Sequence, residues 1–272
     1  MKRGKFILTL ITGIIGFLTL DAFWFEKYII DWEEFDISDP SESKEKVKII
    51  QISDLHLREI RFPHRSVAKR INEEQPDLLC ITGDSVNSDR TLPLLDEFLG
   101  LIDYNITKIA ILGNKERDGN RVSLLPLKAM YEKHNGTLLI NENSVLKAKN
   151  RAFNILGIDD YLGGNADYFE AAKNITPNLP CIILNHRPAY RDEIDRINES
   201  LQLPIKLVLC GHTHGGQVTF FGKPIFLPDG CGDYLKGWYK SPQSLMYVTK
   251  GIGTTALDIR FGARAEAVIF YV

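Results

Sequence analysis

Six short apolar runs, each followed closely by an aspartate, an asparagine or a histidine, constrain this chain more than any other feature. The runs are KVKIIQIS (46–53), DLLCIT (77–82), ITKIAIL (106–112), FNILGI (153–158), PCIILN (180–185) and IKLVLC (205–210). Short stretches of β-branched and aliphatic residues bounded by polar ones read as strands buried on both faces. Helical segments fit between several of them. Residues 63–75 begin with Pro63 at a helix-entry position and stop before Pro76. Residues 123–134 open with Ser123 as an N-cap candidate and are followed by Gly136. Strands alternating with helices predict α/β layers.

The residues that close these runs are chemically alike. Asp54 follows the first, with His56 two residues on. Asp84 follows Thr82-Gly83, Asn114 follows Gly113, and Asp159-Asp160 close the fourth run. His186 follows Asn185, and His212 and His214 follow Gly211. In open α/β sheets the carboxyl ends of the strands share one edge, and ligands bind there. Singly, each residue has a plain structural explanation, because Asp and Asn after a strand form turns and cap helices. The set is harder to explain that way. Of six histidines, four occupy strand-end positions, and only His64 and His134 fall in helical segments.

Imidazole and carboxylate together suit borderline divalent metals. Two Asp, one Asn and four His exceed the four donors of a tetrahedral site. They suit two ions with one bridging carboxylate. Two such ions about 3.5–4 Å apart can hold a hydroxide between them and clamp a phosphoryl group for in-line attack. No GxxxxGK[ST] or GxGxxG follows any run, which argues against a P-loop or a dinucleotide cofactor. With 33 Lys plus Arg against 35 Asp plus Glu, the chain has no basic footprint, so no nucleic-acid partner is expected. A composition 44% hydrophobic and 25% charged excludes a wholly disordered chain and a multi-span membrane protein. Four cysteines are too few for a disulfide scaffold. Cys80, Cys181 and Cys210 sit in apolar runs and read as free buried thiols, while Cys231 stays open.

The first thirty residues differ from the rest. Lys2, Arg3 and Lys5 precede an uncharged stretch from Phe6 to Leu20, followed by Asp21 and the aromatics Phe23, Trp24, Phe25 and Tyr28. The stretch is short of the roughly 20 residues of a full span, and no small-x-small cleavage site follows it. Residues 1–30 are therefore expected to be an uncleaved membrane anchor. A cleaved signal, or a helix lying on the domain or in the interface plane, is the alternative. The basic end predicts a cytoplasmic N-terminus, which leaves open the side of the inner membrane that the main domain faces. Residues 31–45 (DWEEFDISDPSESKE) read as a linker, and 46–272 as the catalytic domain.

The blocks Asp54-Leu55-His56, Gly83-Asp84, Gly113-Asn114, Asn185-His186 and Gly211-His212-Thr213-His214 resemble, in order and spacing, those of the calcineurin-like metallophosphoesterases. GHTHGGQ (211–217) and GIGTTALDIRFGARAE (251–266) look like the membrane-associated bacterial branch of that family. The resemblance implies a four-layer α/β sandwich of two mixed β-sheets flanked by helices. It implies that Asp54, His56 and His214 hold one ion, that Asn114, His186 and His212 hold the other, and that Asp84 bridges them. Mn, Fe or Zn would serve. The family usually has His after the Asn, assigned to transition-state stabilisation or to protonating the leaving group, where this chain has Lys115. Lysine has an ordinary pKa of about 10.4 and is a poor proton donor near neutrality. Lys115 is thus expected to act as an electrostatic clamp, or to face solvent. That favours P–O–P bonds, whose phosphate leaving group needs no proton, over alkyl esters. Enzymes of this superfamily that cleave UDP-diacylglucosamine in lipid A synthesis act on such a lipid-linked substrate. A general phosphodiesterase or phosphomonoesterase of the cell envelope, and a catalytically silent scaffold, are the competing readings. Arg58 and Arg187 are substrate-phosphate candidates. Asp159 and Asp160 would support a ligand histidine or form a turn with a helix N-cap. Phe220, Phe221, Phe226, Trp238 and Tyr239 are expected in the core. Nothing argues for an obligate dimer, so a monomer is expected.

Overall fold

The structure, a computed structural model, describes residues 3–39 and 46–272. Lys2 and residues 40–45, parts of the expected anchor and linker, lie outside them. Two six-stranded sheets stack face to face. The first runs β1 (Asp31–Asp36), β14 (Glu266–Tyr271), β2 (Lys48–Ile52), β3 (Leu78–Thr82), β4 (Lys108–Ile111) and β5 (Gly136–Leu139) from edge to edge. The second runs β12 (Gly237–Lys240), β13 (Leu245–Val248), β9 (Ile205–Cys210), β8 (Cys181–Leu184), β7 (Arg151–Gly157) and β6 (Glu142–Ala148). A small hairpin, β10 (Thr219–Phe220) and β11 (Lys223–Pro224), stands apart. The helices are α1 (Arg3–Leu20), α2 (Glu26–Tyr28), α3 (Phe62–Glu74), α4 (Leu92–Gly100), α5 (Asn114–Arg117), α6 (Leu124–Lys133), α7 (Tyr168–Ala171) and α8 (Arg191–Leu201).

The period-2 alternation of buried strands explains the layering. On β3, Leu78 and Cys80 face the second sheet, while Leu79 and Ile81 face α3, α4 and α6. On β9, Leu207 and Leu209 face the first sheet, while Val208 and Cys210 face α7 and α8. Three apolar layers result: helix–sheet, sheet–sheet and sheet–helix. This is the expected four-layer α/β sandwich. Strands β2, β3, β4 and β5 run parallel, as do β7, β8, β9 and β13, whereas β14, β6 and β12 each pair antiparallel to a neighbour. All six apolar runs of the sequence form parallel strands. They divide between two sheets whose carboxyl ends lie together.

Several expectations need correction. The linker at 31–45 begins as a strand, because Asp31–Asp36 pairs parallel with β14. Trp32 packs on the helix side of the sheet, and Phe35 packs between the sheets beside Trp238, Tyr247 and Phe270. An edge strand tolerates the charged residues between these two aromatics. Ser123 precedes α6 but does not cap it with its side chain, because its hydroxyl is given to Asp89 (2.7 Å). Phe220, Phe221 and Phe226 are exposed and lie outside the core, while Trp238 and Tyr239 are half-buried. All four cysteines are free and buried, which settles Cys231.

Helix α1 ends in a π-helical turn, Asp21–Phe25, that docks on the loop before β14. The Ala22 carbonyl accepts from the Arg260 amide (3.1 Å), and Glu26 accepts from the Ala263 and Ala265 amides. Lys27 pairs with Asp258. The described apolar side chains of α1, from Phe6 to Leu20, are exposed. Among the described residues, no helix is long and apolar enough to cross a membrane.

Candidate metal centre

Seven predicted residues meet where the two sheets end. β2 delivers Asp54 and His56, β3 Asp84, and β4 Asn114, while β8 delivers His186 and β9 His212 and His214. All seven are buried. Asp54, His56, Asp84, His212 and His214 have φ between 44° and 73°, a left-handed backbone that non-glycine residues seldom adopt. Strain of this kind persists only where the surroundings enforce it, and it collects at functional sites. The enforcing contacts are main-chain bonds. The Asp54 amide donates to Gly83 O (3.0 Å), the His56 amide to Asp84 O (2.9 Å), and the Gly253 amide to Asp54 O (2.7 Å).

Glycines let these turns approach. A Cβ on Gly211 would stand 2.0 Å from Ser53 Oγ and 2.6 Å from Asp54 Oδ2, and one on Gly113 would stand 2.2 Å from Asp84 Oδ1. The glycines that precede His212 and Asn114 are thus spatial requirements of the cage.

The donors form two groups. Asp54, His56 and His214 offer ligand atoms within 4.8 Å of one another, and so do Asp54, Asp84 and His186. His56 Nε2 lies 3.1 Å from His214 Nε2, and His214 Nε2 lies 3.5 Å from Asp54 Oδ1. Asp84 reaches both sides, with Oδ2 3.5 Å from His56 Nε2 and Oδ1 3.5 Å from His186 Nε2. Asn114 Oδ1 lies 3.4 Å from His186 Nε2 and 3.0 Å from His212 Nδ1.

Each imidazole turns one nitrogen inward and has the other held. His56 Nδ1 meets Asn87 Oδ1 (3.0 Å), His186 Nδ1 the Thr82 carbonyl (2.7 Å), and His212 Nε2 the Asp229 carbonyl (2.8 Å). His214 Nδ1 faces Arg260 Nη2 (3.3 Å). Such outer contacts orient ligand histidines.

The electrostatics fit a cationic guest. Burial raises the Asp54 carboxyl, with Asp84 adding to the effect. Burial alone would also raise Asp84, but His186 holds it well below the carboxylate range. Burial opposes charge on His186 too, yet Asp84 and Asp54 lift it to about 10. Burial pushes His212 down to about 3 and His214 well below its ordinary value. The carboxylates thus draw a positive charge into a buried cage of nitrogen and oxygen donors, the role a divalent ion fills.

Several residues were not singled out by sequence reasoning. Glu116 is buried and accepts four amides: Asp84 (3.0 Å) and Gly113 (2.9 Å) on Oε2, Ser85 (2.7 Å) and Val86 (3.1 Å) on Oε1. Burial and then Asp84 push its carboxyl up to about 7. It clamps the Asp84 turn to the Asn114 turn, and its signal was its place beside Asn114-Lys115. Arg260, fully buried, donates to the Gly251, Gly253 and Ala263 carbonyls behind His214. Its signal was the 251–266 tail.

Lys115 lies at the mouth. Its amide donates to Asp84 Oδ1 (2.7 Å), and its ammonium stands 3.8 Å from Asp118. Two pockets meet there. One, of about 650 Å³, opens over Asp84, Asn114, His212 and His214, with apolar walls from Val218, Ile225, Phe226, Leu257 and Ile259. The other, of about 460 Å³, is polar and lined by Arg58, Lys115, Arg121 and Asn87. Lys115 and Thr255 border both. Arg187 lines the apolar pocket, but its Nε pairs with Asp160 (2.8 Å) and its Nη1 donates to the Asp229 carbonyl. Asp159 pairs with Arg117. Neither aspartate caps α7, whose N-cap is Asp167.

A two-sheet sandwich that gathers carboxylates and imidazoles from both sheets into one buried cage has the donor set of a metal-dependent protein. Residues 47–216 match the family model described as calcineurin-like phosphoesterase, and the chain belongs to that family. It is 31% identical over 235 residues to the uncharacterized metallophosphoesterase YkuE of Bacillus subtilis, covering 82% of this chain and 78% of the relative. Phosphodiesterase YaeI of Escherichia coli is 29% identical over 234 residues, covering 82% and 80%. The crystal structure of TT1561 of Thermus thermophilus aligns with a TM-score of 0.50 over 76% of this chain and 91% of that one at 10% identity, a likeness of fold. The chain is a metal-dependent phosphoester hydrolase.

Proposed function

We propose that this hydrolase cleaves a P–O–P bond in an amphiphilic, lipid-linked diphosphate and works at a membrane surface to which α1 binds. One observation carries the leaving-group part: no histidine of the cage has a ring nitrogen free to protonate a leaving group. Four have both ring nitrogens engaged in or behind the cage. His64 accepts the Arg61 amide at the start of α3, and His134 pairs with Asp96. An alkoxide gains much from a general acid, whereas a phosphate with a second pKa of about 6 leaves without one.

In this reading Asp54, His56 and His214 would hold one ion and Asn114, His186 and His212 the other, with Asp84 placed to serve both. The ions would supply water activation and neutralisation of phosphoryl charge. Lys115 sets an ammonium where charge builds on the transferred group. The apolar pocket suits the lipid end, and the pocket with Arg58 and Arg121 suits the second phosphate and its substituent.

The test compares turnover of a nucleotide–diacylglycerol diphosphate with that of a dialkyl phosphodiester in Mn²⁺, with the Asp84→Ala protein as blank. The diphosphate is expected to be cleaved at least tenfold faster, and faster cleavage of the alkyl ester sinks the reading. Lys115→His, which places an imidazole at the mouth, is expected to raise alkyl-ester cleavage by at least tenfold, against the roughly hundredfold or more of a well-placed general acid.

A further inference from the structure

The hairpin β10–β11 and the residues that follow it carry an exposed apolar surface. Phe220 is 62% exposed, Phe221 99%, Ile225 71% and Phe226 75%, with Leu257 at 61% beside the same pocket. Phe220 pairs with Lys223, which leaves Phe221-Gly222 as a two-residue turn with φ of 49° and 78°. Two positive φ values are what such a turn needs, and Asn, Asp or Gly meet them with little strain. A phenylalanine there is a backbone outlier. The strain sets an aromatic ring at the hairpin tip, fully in solvent. Exposed aromatics on a strained turn beside a binding pocket mark an interaction surface.

Its neighbours indicate what it meets. Ile225 and Phe226 belong both to the exposed face and to the wall of the pocket over the metal residues. The loop before β14 holds the hairpin, through the Thr219 amide on Phe261 O (2.7 Å) and Gln217 Nε2 on Leu257 O (2.8 Å). That loop also holds the end of the N-terminal helix, through Ala22 and Lys27. The apolar helix and the apolar hairpin are thus fixed to one segment, and exposed Lys223 flanks the aromatic tip. Aromatic and aliphatic side chains flanked by a cation suit the boundary of an anionic bilayer.

We infer that the hairpin tip and Leu257 form a lip that enters a lipid surface, so that the apolar end of the substrate passes from bilayer to pocket without crossing water. This rests on the membrane reading above but not on P–O–P cleavage.

The four native thiols are buried, so a cysteine placed at the tip is the preferred target of a thiol-reactive, polarity-sensitive dye. Full-length Phe221→Cys is labelled and mixed with phosphatidylglycerol–phosphatidylcholine vesicles. Leu125→Cys on α6, where Leu125 is 82% exposed, serves as the control. The dye at 221 is expected to shift to the blue and brighten severalfold as the protein sediments with vesicles, while the dye at 125 stays unchanged. A protein that stays in the supernatant overturns the inference, and so does one that sediments with the 221 dye still in water. Equal responses at both sites overturn it as well, as does a response that follows protein concentration without vesicles, the mark of a second copy of the chain. Failure of diphosphate cleavage would leave the dye result standing, so the two readings fail separately.

Discussion

Single side chains decide whether the cage holds. Glu116→Gln replaces one carboxylate oxygen by an amide that must face two backbone N–H donors. Well above pH 7, where the Glu116 carboxyl is ionised, charge-assisted bonds are worth about 1.5–3 kcal/mol each, and with partial relaxation the fold should lose about 2–4 kcal/mol. Thermal melting should show a drop of roughly 5–10 °C, and bound metal should fall with it. An unchanged melt would remove Glu116 as the clamp. His64 gives a pH signature. Burial and then Arg61 hold its pKa down to about 4 against an ordinary 6.5. The folded protein therefore binds fewer protons than the unfolded chain between those values. Stability attributable to His64 is complete above about pH 6.5 and falls as pH drops towards 4, by at most about 1.4 kcal/mol per unit. His64→Asn keeps an acceptor for the Arg61 amide, and the difference between the two denaturation–pH curves should isolate that slope. The seven cage residues were legible because metal-binding side chains recur at strand ends. Their supports were not, since the Thr82 and Asp229 anchors are carbonyls that any residue would provide.

Elements show why the runs could be read while their partners could not. Strands buried on both faces advertise themselves as apolar runs. β1, with sequence DWEEFD, is an edge strand and hides its pairing behind charge. Its two aromatics nonetheless reach different layers. Phe35→Ala removes a ring 5.1 Å from Trp238 and 5.2 Å from Tyr247 by centroid. A half-buried ring at this seam should cost about 2–3 kcal/mol, below the full-burial range. A chain begun at Asp21 should melt like the full chain, whereas one begun at Ile37 should melt lower and aggregate through the bared edge of β14. Equal melting of the two would make β1 dispensable.

For the molecule as a whole, the sequence carried the α/β alternation but not the assignment of each run to a sheet, because both sheets draw on the same residue types. The cage joins those sheets, so its occupancy should register in global stability. Saturation at a hundredfold excess over Kd contributes about 2.7 kcal/mol for one ion. Chelation with EDTA should lower the melting temperature by at least about 5 °C, and readdition of Mn²⁺ or Zn²⁺ should restore it. A chelated protein that melts unchanged would empty the cage of its assigned role. The strand order has a further consequence. β14 inserts between β1 and β2, so strands at residues 31–36 and 48–52 complete their sheet only when residues 266–271 are present. Until β14 is in place the first sheet lacks its second member, and β2, which leads to Asp54, has an unpaired edge. Cations that reach the protein before β14 is seated would meet an unfinished receptacle, so loading belongs after that strand has closed the sheet.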